Sequence, residues 1–188
     1  MDAATQYALA YALTTTAGVR ALLALAGLSF VVHAGWLHAP AGFAWLGSTG
    51  AMWALGAVAV AEIVADKVPL LDHAGHVLGV VVKPAAGAVL AGGALHVQSH
   101  EALVGLMVLG ALNAFGVHAA VASVRAASTA TTAGFANPLL SIFEDVSSVV
   151  ALIVTFLLPF VAAALALCFS IVVVVIARTA LRARKTAS

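Results

Sequence analysis

Residues 149–177 read VVALIVTFLLPFVAAALALCFSIVVVVIA, with no charged side chain anywhere in the run. A helix needs about 20 apolar residues to cross the hydrocarbon core of a bilayer, and this stretch exceeds that length. The rest of the chain has the same character. Of its 188 residues, 64% are apolar and 8% charged, and mean hydropathy is +1.15. Soluble domains carry about a quarter charged residues, and so little polar surface could not cover a soluble fold of this size. The expected fold is all-α, a polytopic transmembrane helical bundle forming one integral membrane domain over residues 1–188.

Polar or breaker segments divide the remaining sequence. A first apolar stretch, 5–33, is interrupted by Thr14-Thr15-Thr16-Ala17-Gly18 and then Arg20. A loop with Trp36, Pro40, Gly42 and Trp45 follows, and its tryptophans suit an interfacial aromatic belt. Further stretches are expected at about 48–65, 73–95 and 100–128, the last broken around Asn113–Gly116. Residues 137–178 are too long for one span and should divide near Pro159. Broken or re-entrant helices are therefore part of the expectation.

Two short matches suggest inverted repeat halves of about 5–98 and 100–182. Ala17-Gly18-Val19-Arg20-Ala21 aligns with Phe115-Gly116-Val117-His118-Ala119, and Ala41-Gly42-Phe43-Ala44 is identical to Ala133-Gly134-Phe135-Ala136. Interrupted apolar segments in corresponding halves point to transporter binding sites. Chance also produces such matches in a chain this rich in Ala, Gly and Val.

The charge pattern narrows the class further. A net charge of +1 leaves no nucleic-acid footprint. Asp2 is the sole early charge, so a cleavable signal peptide is not expected. Lone Cys168 excludes an intrachain disulfide and a thiolate metal cluster. Arg178, Arg182, Arg184 and Lys185 follow the last apolar segment, which places the tail in the cytoplasm. With an Ala- and Val-rich composition resembling that of high-GC bacteria, the expected location is the inner (plasma) membrane, multi-pass.

Chemistry concentrates in two segments. The first is Glu62-Ile-Val-Ala-Asp66-Lys67-Val-Pro69-Leu-Leu-Asp72-His73-Ala-Gly-His76. Glu62 and Asp66 share a helical face, and two like charges there repel strongly in low dielectric. Such a pair needs a bound cation, a proton or a basic partner, and Arg20 and Lys67 are at hand. Asp72 reads equally as a helix cap or a ligand. His73 and His76 suit the interface, and Lys67 could snorkel to the headgroups. Glu62 lies about a turn inside the apolar stretch, where an ionisable group points to function.

The second segment is Asn137-Pro138-Leu-Leu-Ser141-Ile-Phe-Glu144-Asp145-Val-Ser147-Ser148. Asn-Pro starts a helix well, with Asn137 as the cap. Asn137, Ser141, Glu144/Asp145 and Ser148 then form one polar stripe, facing either a bundle interior or solvent outside the membrane. Ahead of it, Ser128–Gly134 reads as a flexible hydroxyl-rich approach that could receive an anion at the helix start. Arg20 would sit at a helix N-terminus, where the dipole disfavours a cation. It should pair with Glu62, Asp66, Glu144 or Asp145. Lys83, before Pro84, poses the same question.

These blocks, in order, resemble the bacterial membrane family DUF4126. They are Gly18-Val19-Arg20, Glu62-Ile-Val-Ala-Asp66-Lys67-Val-Pro69 with Asp72, Lys83-Pro84-Ala-Ala-Gly87, Ser128–Gly134 and Asn137–Asp145. The resemblance covers nearly the whole chain and implies a small polytopic protein, with no activity attached. Glu62-xxx-Asp66-Lys67 is also similar to an acidic cation-exchanger motif, although it lacks that motif's glycine and hydroxyl residue, and the second half offers Glu144-Asp145 instead of another copy.

The expected function is a small-ion transporter or channel, most readily for a cation, either a divalent metal or a proton-coupled ion. Glu62, Asp66, Asp72, Asn137, Ser141, Glu144 and Asp145 would bind the solute, with Arg20, Lys67 and Lys83 as counter-charges. If the ion is a metal, Glu62, Asp66, Glu144 and Asp145 are the ligands and that cation is the cofactor. The alternatives are an anionic, phosphate-like solute held by Arg20, Lys67 and Lys83, or a non-transporting scaffold. No enzyme is expected, since no Gly-x-Ser-x-Gly, His-Glu-x-x-His or cysteine nucleophile setting occurs. The expected partners are the lipid bilayer, the small ion or solute, and further copies in a homo-oligomer.

Overall fold

The computed structural model describes the backbone of residues 1–67 and 69–186, and the side chains of all but 68–76, 173–174 and 176–188. All regular structure among the described residues is helical. The helices are α1 (Ala3–Val19), α2 (Ala21–His33), α3 (Thr49–Ala65), α4 (Pro69–Ala94), α5 (His100–Thr132), α6 (Asn137–Leu157) and α7 (Pro159–Thr186), with a 3-10 helix at Ala41–Gly47 before α3. Helices α4, α5 and α6 contain windows long and apolar enough to span a bilayer. The 3-10 helix and α3 meet at 67° and together would make a fourth span or a re-entrant loop. Their outward faces carry large apolar side chains such as Val81, Leu139 and Phe143, each about 70% exposed. An exposed apolar surface on helices of this length suits hydrocarbon. The protein is a membrane-embedded helical bundle.

Local chemistry sets the helix ends. Asp2 starts α1 by accepting from the Thr5 amide at 2.7 Å, and Ser48 starts α3 by accepting from the Ala51 amide at 3.1 Å. Pro159 cannot donate to the preceding turn, so α6 stops at Leu157 and α7 begins at the proline, as expected.

Several expectations need correction. The threonine triplet does not interrupt α1. Thr14 and Thr15 hydroxyls donate to the Tyr11 carbonyl and Thr16 to Ala12, at 2.9–3.0 Å, so their polar groups are met within the helix. The break comes at Arg20 instead, whose φ of −133° and ψ of 90° are extended. Helix α5 runs unbroken through Asn113–Gly116. Ser128–Thr132 is helical as well, because Thr131 and Thr132 hydroxyls bond back to carbonyls of their own turn. The turn follows at Ala133 and Gly134, both with positive φ. Ala136, and not Asn137, occupies the cap position of α6. Asp72 falls within α4 and so is not its cap. The side chains of Asp72, His73, His76 and the basic tail lie outside the described residues. The segments proposed as repeats take different local structures: Gly18-Val19-Arg20 sits at a break, Gly116-Val117-His118 inside α5.

Helix α1 lies at the centre, in contact with α2, α4, α5, α6 and α7. Leu13, Ala17, Leu28 and Leu90 are completely buried there. Polar side chains add cross-links that water cannot compete for in lipid. Asn113 donates from α5 to Thr14 and Thr15 at 2.9 Å, and Tyr11 donates to Ser170 on α7 at 3.0 Å. Helices α4 and α5 cross at Gly87 and Gly110, where a Cβ on Gly87 would come 2.4 Å from the Gly110 carbonyl oxygen. Backbone cannot give way as a side chain can, so the helices would have to separate.

Gly87→Val should therefore cost about 1–3 kcal/mol, the range for overpacking. Gly56→Val, where a Cβ meets nothing within 4 Å, should be near neutral. Thermal denaturation in detergent separates the two, and equal melting temperatures would contradict the close crossing.

Candidate functional site

The functional side chains gather where the central helix is interrupted. A helix end leaves its last carbonyls and first amides without partners, and α1 and α2 meet end to start across Arg20. Two flanking charges meet those groups. Lys83 of α4 donates to the Val19 carbonyl at 3.0 Å, placing a cation at the negative end of α1. Glu62 of α3 accepts from the Leu22 amide at 3.2 Å, placing an anion at the positive end of α2. Both match the helix dipoles, each interaction contributing typically 0.3–1 kcal/mol and more when partly buried.

Arg20 itself occupies the cap position of α2 and is 1% exposed. A cation at that helix end is held in place by carboxylates from elsewhere. Its guanidinium directly contacts Asp66, which follows α3. It also approaches Asp145 at 2.7 Å and Glu144 at 3.7 Å, both on α6. The Asp145 contact is an ion pair, too poorly aligned for a hydrogen bond. The Ser141 hydroxyl and carbonyl accept from Arg20 at 3.1 and 3.3 Å.

A second arginine completes the cluster, and the sequence reading missed it. Arg125 of α5 grips Glu144 with both ends of its fork, at 3.0 and 2.6 Å, and lies 3.9 Å from Asp66. A bidentate arginine–carboxylate pair of this kind is strong and directional. The available signal was a lone arginine in an apolar helix, seven residues after His118 and therefore on the same face. His118 and Arg125 are both buried.

Lys67 closes the network from outside, donating to Asp145 at 2.6 Å and to the Ile63 carbonyl at 3.0 Å. Its side chain is 42% exposed, whereas those of Asp66, Glu144 and Asp145 are 13–16% exposed. Among the described residues, three cations thus face three carboxylates in one contiguous cluster.

Of the ways of holding Glu62 and Asp66 that their spacing allows, a basic partner is the one seen for Asp66, which contacts Arg20. The two carboxylates diverge, Glu62 reaching the Leu22 amide instead. Among the described residues no group of three or more His, Cys, Asp or Glu side chains is arranged to hold a metal ion. Ser141 and Ser148 are buried, so the polar stripe of α6 faces the interior. Asn137 stands apart from the cluster and donates to Thr129 at 3.0 Å.

Removing one partner of a buried ion pair is more damaging than replacing the whole pair. Arg20→Met, which strips Asp66 of its direct partner and leaves Arg125 and Lys67 to face the three carboxylates, should destabilise the protein by about 3–5 kcal/mol. Adding Asp66→Asn to that variant should recover part of the loss. Chemical denaturation in detergent measures both, and an additive double variant would argue against direct coupling.

Comparison with curated proteins and with solved structures gives no match. A family model described as a domain of unknown function (DUF4126) matches residues 7–179, taking in the whole charge network and both helix breaks, and the chain belongs to that family.

Proposed function

We propose that the protein moves a small cation across a bacterial inner membrane by exchange at the Asp66–Glu144–Asp145 cluster, without chemical catalysis. The supporting observation is the buried Arg20, held at the break of the central helix by carboxylates from α3 and α6. Ionisable groups at such depth commonly mark ion paths, and interrupted helices form transporter binding sites. In this reading the resident cations hold the carboxylates ready between turnovers. Lys67 is the replaceable one. Its partly exposed ammonium can leave Asp145 for water, and an incoming ion takes its place. Arg20 and Arg125 stay buried and keep the site assembled.

Since no ready-made metal cluster is present among the described residues, a proton or a weakly coordinated cation fits better than a tightly held divalent metal. An anionic solute fits less well. Arg20 and Lys67 are already matched by carboxylates, and Lys83 is engaged with Val19. The basic tail favours a cytoplasmic C-terminus.

Proteoliposomes loaded with a pH-sensitive dye and challenged with proton, sodium, potassium or magnesium gradients test the proposal. Flux should appear for at least one cation and fall at least tenfold in Asp145→Asn. Lys67→Ala removes the competitor and should raise apparent cation affinity up to about fivefold, the equivalent of a partly exposed ion pair. Absence of flux with every cation, together with co-purification of another membrane protein, would favour a structural scaffold.

A further inference from the structure

Helix α3 and the two residues after it bring Asp66 and Lys67 to the charge cluster, yet α3 is loosely held by the bundle. Ala59 is the single buried residue of its 17, and it packs chiefly on α2. Neutral hydrogen bonds pin the turn before its start: Ser29 donates to the Leu46 carbonyl at 2.6 Å, and His33 Nδ1 to the Gly47 carbonyl at 2.9 Å. Charge holds its far end, through Glu62 on the Leu22 amide, Asp66 on Arg20 and Lys67 on Asp145.

The first half of α4 is loosely packed as well. Of residues 77–83 only Gly79 and Lys83 are buried, whereas none of residues 86–95 is exposed. Pro84 marks the change. It lies inside the helix and has no amide to donate to the Val80 carbonyl, and helices bend at such positions. At the other end of the pair, the 3-10 helix and α3 meet at 67° across Ser48, whose backbone is extended.

We propose that α3 and the part of α4 before Pro84 form one arm, pivoting at Ser48 and Pro84, that closes over the cluster and opens to admit the ion. The purpose of the arm rests on the cation-exchange reading, whereas its movement can be read without any flux. Asp66 and Lys67 have opposite charges. Withdrawing both leaves Arg20 and Arg125 against Glu144 and Asp145, two against two among the described side chains. Opening therefore avoids the costly outcome, a buried charge with no partner. Lys83 sits beside the pivot and keeps its bond to Val19, while the contacts of Glu62, Asp66 and Lys67 break.

Nitroxide spin labels on the full-length protein in maltoside detergent report the arm, with Cys168→Ser removing the native thiol. Labels at Val60→Cys on α3 and Val108→Cys on α5, both exposed positions, should give one dominant separation by pulsed electron–electron double resonance. Asp66→Asn combined with Lys67→Ala should raise the population at longer separation by at least about fivefold, the equivalent of one partly exposed ion pair. Lys67→Ala alone, at a side chain 42% exposed, keeps the fold and should act in the same direction by less. Pro84→Ala, which restores the missing amide, should suppress the longer separation. A reference pair at Val108→Cys and Val150→Cys, the latter on α6, should stay fixed throughout. The proposal is overturned by an α3–α5 separation unchanged in both latch variants, by a longer population indifferent to Pro84→Ala, or by a reference pair that moves with the arm. Arm movement without cation flux would sink the transport reading alone, and flux with a fixed arm would sink the arm alone.

Discussion

The buried charges of this bundle gather around the break in its central helix. Water would satisfy the exposed carbonyls and amides of such a break, but lipid cannot. Lys83 and Glu62 satisfy one each, and each carries the sign that the adjoining helix end prefers. Arg20, placed between them at the positive end of α2, has the wrong sign for its position. The carboxylates of Asp66, Glu144 and Asp145 offset it, and Arg125 and Lys67 in turn balance those carboxylates. One interruption of the backbone thereby recruits side chains from α3, α4, α5 and α6 into a single cluster.

The parts of this arrangement that were legible in the sequence are those with local causes. Apolar length marks the spans, Pro159 divides α6 from α7, and the wrong-signed Arg20 at a helix start pointed to carboxylate partners. The misread segments share one physical feature, which is that their polar groups look like breakers until a partner is known. The Thr14, Thr15 and Thr16 hydroxyls bond within their own helix, and those of Thr14 and Thr15 also accept from Asn113. That explains at once why neither segment is broken. The hydroxyl-rich Ser128–Thr132 reads as a flexible approach for the same reason, although its threonines fold back on their own turn.

Arg125 shows a different limit. Its partner Glu144 is 19 residues further on, across a turn, and nothing in its neighbours hints at that pairing. Periodicity identifies a face of a helix, whereas the choice of partner depends on how helices cross. Here the crossing is governed by small residues, Gly87 on Gly110 and Gly18 beside Val117, which set how closely the backbones approach.

The balance of charge has an electrical consequence. Among the described residues, three cations against three carboxylates sum to zero, so a transmembrane potential exerts no net force on these six side chains as a unit. A single uncompensated charge carried across the whole field would feel about 2.3 kcal/mol per 100 mV. The resting assembly is thus electrically silent among the described residues, and voltage gains purchase only when one partner leaves and another has yet to arrive.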